Sequence, residues 1–287
     1  MHYTVEPMHV ERPTDAARFL DEAGPFLLAD EARHNLILGL AGTLRDLPAT
    51  YPDFQLWLVA DEDHVVAAAL RTPPFNLVVV GDAGGVSHLA ETLRADGVEL
   101  PGVTGATPEV DSFAARWEAV GGQRAVERMR QRIYQLAEVR PVADAPGESR
   151  VATEADHDLV LAWVQAFADE AGSKPTDAAR VVDARLGGGD ASGFLLWEND
   201  SEPVSLAGWV GSTPNGIRVG PVYTPPALRR RGFRSAVTAA VSERQLAGGR
   251  TFCFLYTDLA NPTSNRIYMD IGYKPVCESV DYDFAAT

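Results

Sequence analysis

The chain has 287 residues, of which 46% are hydrophobic, and a formal net charge of −15. That length is comfortable for two domains, each with enough apolar surface for its own core. A charge of this sign repels nucleic acid and excludes a DNA- or RNA-binding role; its ordinary consequence is solubility.

The opening Met1-His2-Tyr3-Thr4-Val5-Glu6 lacks a basic stretch followed by an apolar run, so no signal peptide is expected. No apolar run approaches the roughly 20 residues that span a bilayer. A cytoplasmic protein, off the membrane and either monomeric or homodimeric, is expected. Helices are predicted over residues 14–23 and 31–44. Strands follow at 55–60, 65–71 and 76–80, then a helix over 85–96, a short strand around Val103, a helix over 108–120 and a long strand over 125–139.

Residues 140–149 hold two prolines, a glycine and small polar residues, and read as a linker. They divide the chain into expected domains over 1–143 and 147–287. In the second half, Thr153 with Asp156 three residues on is a helix-start signature. Leu159, Val160, Trp163, Val164 and Phe167 behind it recur at helical spacing. A helix over 176–186 leads to a strand meander over 193–197, 204–211 and 217–223. A helix over 232–246, a strand over 251–257, a helix over 262–271 and a last strand over 273–284 complete the chain. Arg116-Trp117-Glu118-Ala119-Val120-Gly121 occupies the place that Ile267-Tyr268-Met269-Asp270-Ile271-Gly272 has in the second half, so the halves read as a divergent duplication.

Cys253 and Cys277 form neither a disulfide framework nor a ligand spacing, and the six histidines are scattered. No metal site is expected. The chemistry is concentrated in two segments. In the first, Val222-Tyr223-Thr224-Pro225-Pro226 stops a strand. Then Arg229-Arg230-Arg231-Gly232-Phe233-Arg234-Ser235 turns into an amphipathic helix. Helix N-termini present unpaired N–H groups and partial positive charge, which suits phosphate, and Gly232 lets the backbone approach closely. A basic turn alone is equally a solvated helix cap. Walker and Rossmann loops are excluded by the missing Gly-Lys-Ser/Thr and the missing glycine triplet. In the second segment, Asn261-Pro262 starts a helix on which Tyr268 lies about two turns on, followed by Gly272-Tyr273. Alone this reads as a capping Asn and a packed Tyr.

Together, and in register, the two segments resemble the GNAT superfamily of N-acetyltransferases. The family's Arg/Gln-x-x-Gly-x-Gly/Ala motif stands here as Arg229-x-x-Gly232-x-Arg234. The resemblance covers roughly residues 150–284. It implies an α/β fold with a mixed sheet, two GNAT-like domains in tandem, and one active site in the second. It implies acetyl-coenzyme A as co-substrate and transfer of an acetyl or short acyl group to a primary amine, on a small molecule or a peptide. Arg229, Arg230, Arg231, Gly232, Phe233, Arg234 and Ser235 would hold the pyrophosphate. Val222, Tyr223 and Thr224 would bind pantetheine as an added strand, with Asn261 and Asn265 beside it. Tyr268 would protonate the departing thiolate. The family often carries a Glu near the position of Gly220. No carboxylate occupies 218–224, so Asp258 is the first substitute for the base and Glu198 or a water chain the next. Trp197 and Trp209 leave room for a cationic or aromatic amine without selecting one. Arg234, where the family has Gly or Ala, and the missing Glu keep a second reading open, a non-catalytic acyl-coenzyme A sensor or scaffold. The first half carries Gly81-Asp82-Ala83-Gly84-Gly85, with an acidic residue and no arginine, and Trp117 for the tyrosine. It is expected to have lost the cofactor and to shape the substrate cleft.

Overall fold

The computed structural model describes residues 8–121, 123–142, 145–172 and 178–286. In chain order these form β1 His9–Glu11, α1 Ala16–Leu28, α2 Asn35–Asp46, β2 Gln55–Asp61, β3 His64–Arg71, β4 Leu77–Gly81, α3 Ala83–Ala95, β5 Gly102–Ala106, α4 Glu109–Gly121 and β6 Gln123–Leu136. There follow β7 Glu148–Val151, α5 His157–Ala171, α6 Ala178–Arg185, β8 Gly193–Asn199, β9 Glu202–Val210, β10 Gly216–Tyr223, α7 Phe233–Ala247, β11 Phe252–Asp258, α8 Pro262–Ile271 and β12 Lys274–Ala286. Two compact units result. The first holds residues 1–133, 258–260 and 276–287; the second holds 134–257 and 261–275. The units thus differ from a cut at the linker. The end of β6 belongs to the second, and most of β12 belongs to the first.

In the first unit β1 to β4 pair antiparallel in sequence order, and β4 and β5 pair parallel, Leu77 opposite Val103. β12 lies antiparallel on β5, Val280 opposite Gly105, with β6 on its other side. Side chains alternate between two cores, as the two-residue strand period requires. Trp57, Val59, Ala67, Ala69, Leu77 and Val79 pack against α3 and α4. Their neighbours Leu56, Leu58, Ala68, Leu70, Val78 and Val80 pack against α1 and α2. Both faces are covered, so these strands read as continuous apolar runs instead of alternating ones.

The second unit repeats the plan. β7, β8, β9 and β10 pair antiparallel in order, and β10 pairs parallel with β11. Leu195, Ala207, Trp209, Ile217 and Val219 meet Val237 and Val241 of α7 and Tyr268 and Ile271 of α8. Phe194, Leu196 and Leu206 face Val160 and Val164 of α5 and Val182 of α6. Tyr134 and Leu136, at the end of β6, are buried in the α7–α8 core.

Most predicted elements match to within a few residues, and 262–271 agrees at both ends. The sequence reading omitted β1, which has only three residues, and β7, which begins at the end of the segment read as linker. There Ser149 pairs with Trp197 and Val151 with Leu195 despite the flanking Pro146 and Gly147. α1 also runs past its expected end, through Gly24 and Pro25 to Leu28, because Ala23 and Leu27 continue its buried stripe. The expected start of α6 at Thr176 lies outside the described residues. Among the described residues no helix is long and apolar enough to cross a membrane.

Candidate functional site

The site begins where β10 loses its partner. Its described ladder with β11 covers Gly216–Arg218 against Phe252–Phe254. Past that point β10 changes register against β9 between Val219 and Val222, at a bulge carrying the cis Gly220–Pro221 bond. Bulges bend a strand and re-aim its groups. Val222 and Tyr223 still pair with Ala207 and Leu206 of β9. Their opposite edge is outside the described β11 ladder, so it can take an added strand. Thr224 is buried, with its hydroxyl 2.7 Å from that of buried Ser205. No carboxylate stands at the bulge. The Gly220 carbonyl instead accepts from the Arg185 guanidinium at 3.3 Å.

A short 3₁₀ turn over Pro226–Leu228 leads into the arginines. Arg230 and Gly232 both take the left-handed backbone conformation, at φ 63° and 86°. For glycine this is free; for arginine it carries strain. The turn ends with Gly232 as the N-cap of α7, without a side-chain cap bond. The first capping bond inside the helix runs from the Ala236 N–H to the Gly232 carbonyl. Among the described residues, none of the main-chain amides from Arg230 to Ser235 donates to a protein acceptor. These are the orphan donors every helix start leaves, here gathered on one tight turn. Arg230 and Arg231 are exposed, and Arg231 lies over the Phe233 ring. Arg229 is held: its Nε donates to the Thr224 carbonyl at 2.9 Å and its guanidinium pairs with Glu170 of α5 at 2.6 Å.

α8 brings the second set. The Asn261 side chain caps it by accepting from the Ser264 N–H at 3.0 Å, as Asn-Pro at a helix start requires. The Asn265 amide is bound at both ends. Its Nδ2 donates to the Asn261 carbonyl at 2.7 Å, and its Oδ1 accepts from the buried Tyr134 hydroxyl at 3.0 Å. Tyr134 was not singled out from the sequence, because β6 belongs to the other half of the chain. Gly272 ends α8 at φ 115°, where a Cβ would meet the Glu138 carbonyl at 2.8 Å.

Tyr268 is 4% exposed and meets Tyr273 edge-on, with centroids 6.0 Å apart. Its hydroxyl accepts from Arg234 Nη2 at 3.1 Å. Arg234 therefore does not simply point away from the turn; it links the first turn of α7 to α8. Its Nε is buried without a partner among the described residues. Asp258, at the end of β11, is exposed; its carboxylate accepts from the Ala260 N–H at 2.8 Å, and it falls in the first unit. Glu198 is engaged by Arg150 at 2.7 Å. Trp209 is a core residue, 1% exposed, and offers no face to an acceptor. Trp197 donates its indole N–H to the Pro146 carbonyl. Burial pushes the Cys253 thiol up to about 12 and the Cys277 thiol up to about 11, which disfavours the thiolate in both.

In the first unit the same turn is closed. Asp82 caps α3, its carboxylate accepting from the Gly85 N–H at 2.7 Å. A protein carboxylate thus sits where an anion would go. Trp117 is fully buried, stacked between Phe113 and Phe284, and its N–H donates to Gln123 at 3.1 Å.

Two α/β units of this topology, one with an open basic helix start and one with it capped, have the fold of solved GNAT proteins, a tandem one among them. The family described as FR47-like protein matches residues 197–280, the stretch that carries both site segments. A GCN5-related N-acetyltransferase from Sphaerobacter thermophilus is similar at 17% identity and TM-score 0.62, covering 96% of this chain and 94% of that one. A tandem GNAT protein from the clavulanic acid biosynthesis pathway is similar at 14% identity and TM-score 0.56, covering 96% and 98%. A GCN5-related N-acetyltransferase from Kribbella flavida is similar at 20% identity and TM-score 0.54, covering 76% and 86%. At these identities the likeness establishes the fold. No curated protein matches the sequence.

Proposed function

We propose that the protein is an acyltransferase that moves an acetyl or short acyl group from acetyl-coenzyme A to a primary amine, using the second unit. The observation that carries this reading is the start of α7. Six consecutive main-chain amides from Arg230 to Ser235 have no acceptor among the described residues and lie among arginines, in a strongly acidic chain. Such a set fits a pyrophosphate by hydrogen bonding and by the helix dipole together. The edge of Val222–Thr224 fits the amide-bearing pantetheine arm as an added strand. Asn261 keeps its Oδ1 on the Ser264 amide, leaving its Nδ2 as the donor toward that arm.

The donor supplies a thioester, and the protein's part is to hold it and manage the protons. The acceptor nitrogen forms the new C–N bond to the acyl carbon as the C–S bond breaks. The nitrogen gives its proton to water, the departing thiolate takes one from the Tyr268 hydroxyl acting as general acid, and water returns a proton to Tyr268, so that the amine's proton ends on the thiol. No covalent enzyme intermediate is needed, which agrees with the two cysteines being held protonated. Calorimetric titration with acetyl-coenzyme A tests the first step, and thiol release over a panel of primary amines tests the second. A wild type that does not bind acetyl-coenzyme A sinks the reading. Saturable binding with no turnover on any amine favours the sensor or scaffold instead. The strained Arg230 and the arginine bonded to Tyr268 are the features that keep that second reading in view.

A further inference from the structure

We propose that Arg234 is a positioning residue that fixes the direction in which Tyr268 gives up its proton; this rests on Tyr268 acting as the general acid. A guanidinium carries donors and no acceptor. At 3.1 Å from Nη2, the Tyr268 oxygen must therefore accept, and its own O–H must point elsewhere. Among the described residues no protein group takes that O–H. Three other buried or half-buried tyrosines bond protein groups through theirs. Tyr134 donates to Asn265 at 3.0 Å, Tyr282 donates to Asp111 at 2.9 Å, and Tyr273 shares a bond of 2.9 Å with Ser242. Tyr268 alone in this group is bonded on its oxygen by a cation and keeps its proton unspent.

The ring itself is held by packing. It is nearly buried, meets Tyr273 edge-on, and has the Arg234 guanidinium 5.7 Å from its centroid. Packing fixes the C–O axis but not the rotation of the hydroxyl hydrogen about it; the bond from Arg234 fixes that rotation. The placement does not serve the arginine's own solvation, because its Nε is buried without a partner among the described residues. A side chain at this position turned to water would satisfy all five of its N–H groups. The backbone amides of the same turn remain available for the pyrophosphate, so the arginine's role is separable from donor binding.

The test is a double-mutant cycle on the full-length protein with acetyl-coenzyme A. Arg234→Met keeps the stem and removes the donors; Arg234→Lys keeps a charge and one reaching donor. Arg234→Met is expected to lower kcat by about 10-fold while KM for acetyl-coenzyme A stays within about twofold, with part of the loss restored in Arg234→Lys. In a Tyr268→Phe background the same change is expected to have no further effect, because there is no proton left to direct. A second readout needs no acceptor. With tyrosine labelled at Cζ, the Tyr268 carbon resonance is expected to move in Arg234→Met while that of Tyr134 stays in place. An unmoved Tyr268 resonance, an undiminished kcat, or an equal loss in the Tyr268→Phe background overturns the inference and leaves the acyltransferase reading standing. Full turnover in Tyr268→Phe alone overturns the inference together with the general-acid role of Tyr268 on which it rests.

Discussion

The two units make the same β–α–β turn and finish it in opposite ways. After β4, Asp82 swings its carboxylate over the start of α3 and accepts from Gly85. After β10, no side chain among the described residues caps the start of α7, and Arg229, Arg230 and Arg231 lie beside it. On the following helix, Trp117 is stacked between two phenylalanines in the first unit. In the second, Tyr268 accepts from Arg234, and its own O–H has no acceptor among the described residues. The difference teaches that the fold supplies only a place. The orphan donors of a helix start are available to an anion only while no side chain such as Asp82 takes them, because cap and anion satisfy the same groups.

The largest effect is expected from filling that place in the second unit. Gly232 stands at φ 86°, where any side chain is strained, and its Cβ would lie 3.4 Å from that of Ala145. Gly232→Trp should abolish detectable acetyl-coenzyme A binding in calorimetry while the far-ultraviolet spectrum stays native. Retained binding would mean that the open amides of α7 are not the anion seat, and the contrast with α3 would lose its meaning. Next in size is Tyr268→Phe, which should lower turnover on the order of 100-fold at nearly constant affinity for acetyl-coenzyme A. The matched change Trp117→Phe in the first unit should leave turnover alone and cost about 1–3 kcal/mol of stability in urea denaturation.

Much of this contrast was legible in the residues. Four arginines and a glycine ahead of an amphipathic stretch mark an open helix start, and an aspartate before Ala83-Gly84-Gly85 marks a capped one, because capping is a local rule. Asn261-Pro262 fixed the start of α8 for the same reason. Three things were not legible. Tyr134 reaches Asn265 across 131 positions, which no local spacing encodes. β7 hides in a segment of prolines and glycines because an edge strand needs only a few paired residues. The bond from Arg234 to Tyr268 depends on how α7 and α8 pack, which no local spacing encodes. Trp209 shows the reverse failure: an aromatic that looked available to an acceptor lies in the core, at a strand position facing α7.

A smaller effect separates the starts of the first long helix in each unit. α1 is capped by Asp15, which accepts from the Arg18 amide at 2.9 Å. α5 has a larger lock ahead of it. Asp156 accepts from the Thr153 N–H at 2.8 Å and pairs with Arg150 at 2.7 Å. The Arg150 bond above all, then those from Thr153, holds the Asp156 carboxyl down at about 2 despite its burial. Its folded pKa lies below the unfolded value of about 3.9. Its contribution is therefore complete above pH 4 and is lost as the pH falls toward 2. Arg150 is partly exposed, so solvent screening leaves about 1–2 kcal/mol of that contribution. Asp156→Asn should lower stability by that amount at neutral pH and by almost nothing near pH 2. An unchanged acid limb in urea titrations would remove Asp156 from this role.

The smallest effect sharpens the comparison most. Asp82→Ala takes the cap from α3 and should cost about 1 kcal/mol of stability, since the Gly85 amide falls back on water. It leaves the first unit with an open helix start but no arginine beside it, and with Trp117 still in the place of the tyrosine. If an anion seat needs both open amides and surrounding charge, calorimetry on this variant should still find one acetyl-coenzyme A per chain. A second binding event would show that a single carboxylate had closed the first unit's site, and that the arginines of the second unit tune affinity without creating it. The stoichiometry of that one titration thus decides whether the duplicated unit lost its ligand through the loss of its arginines or through the gain of Asp82.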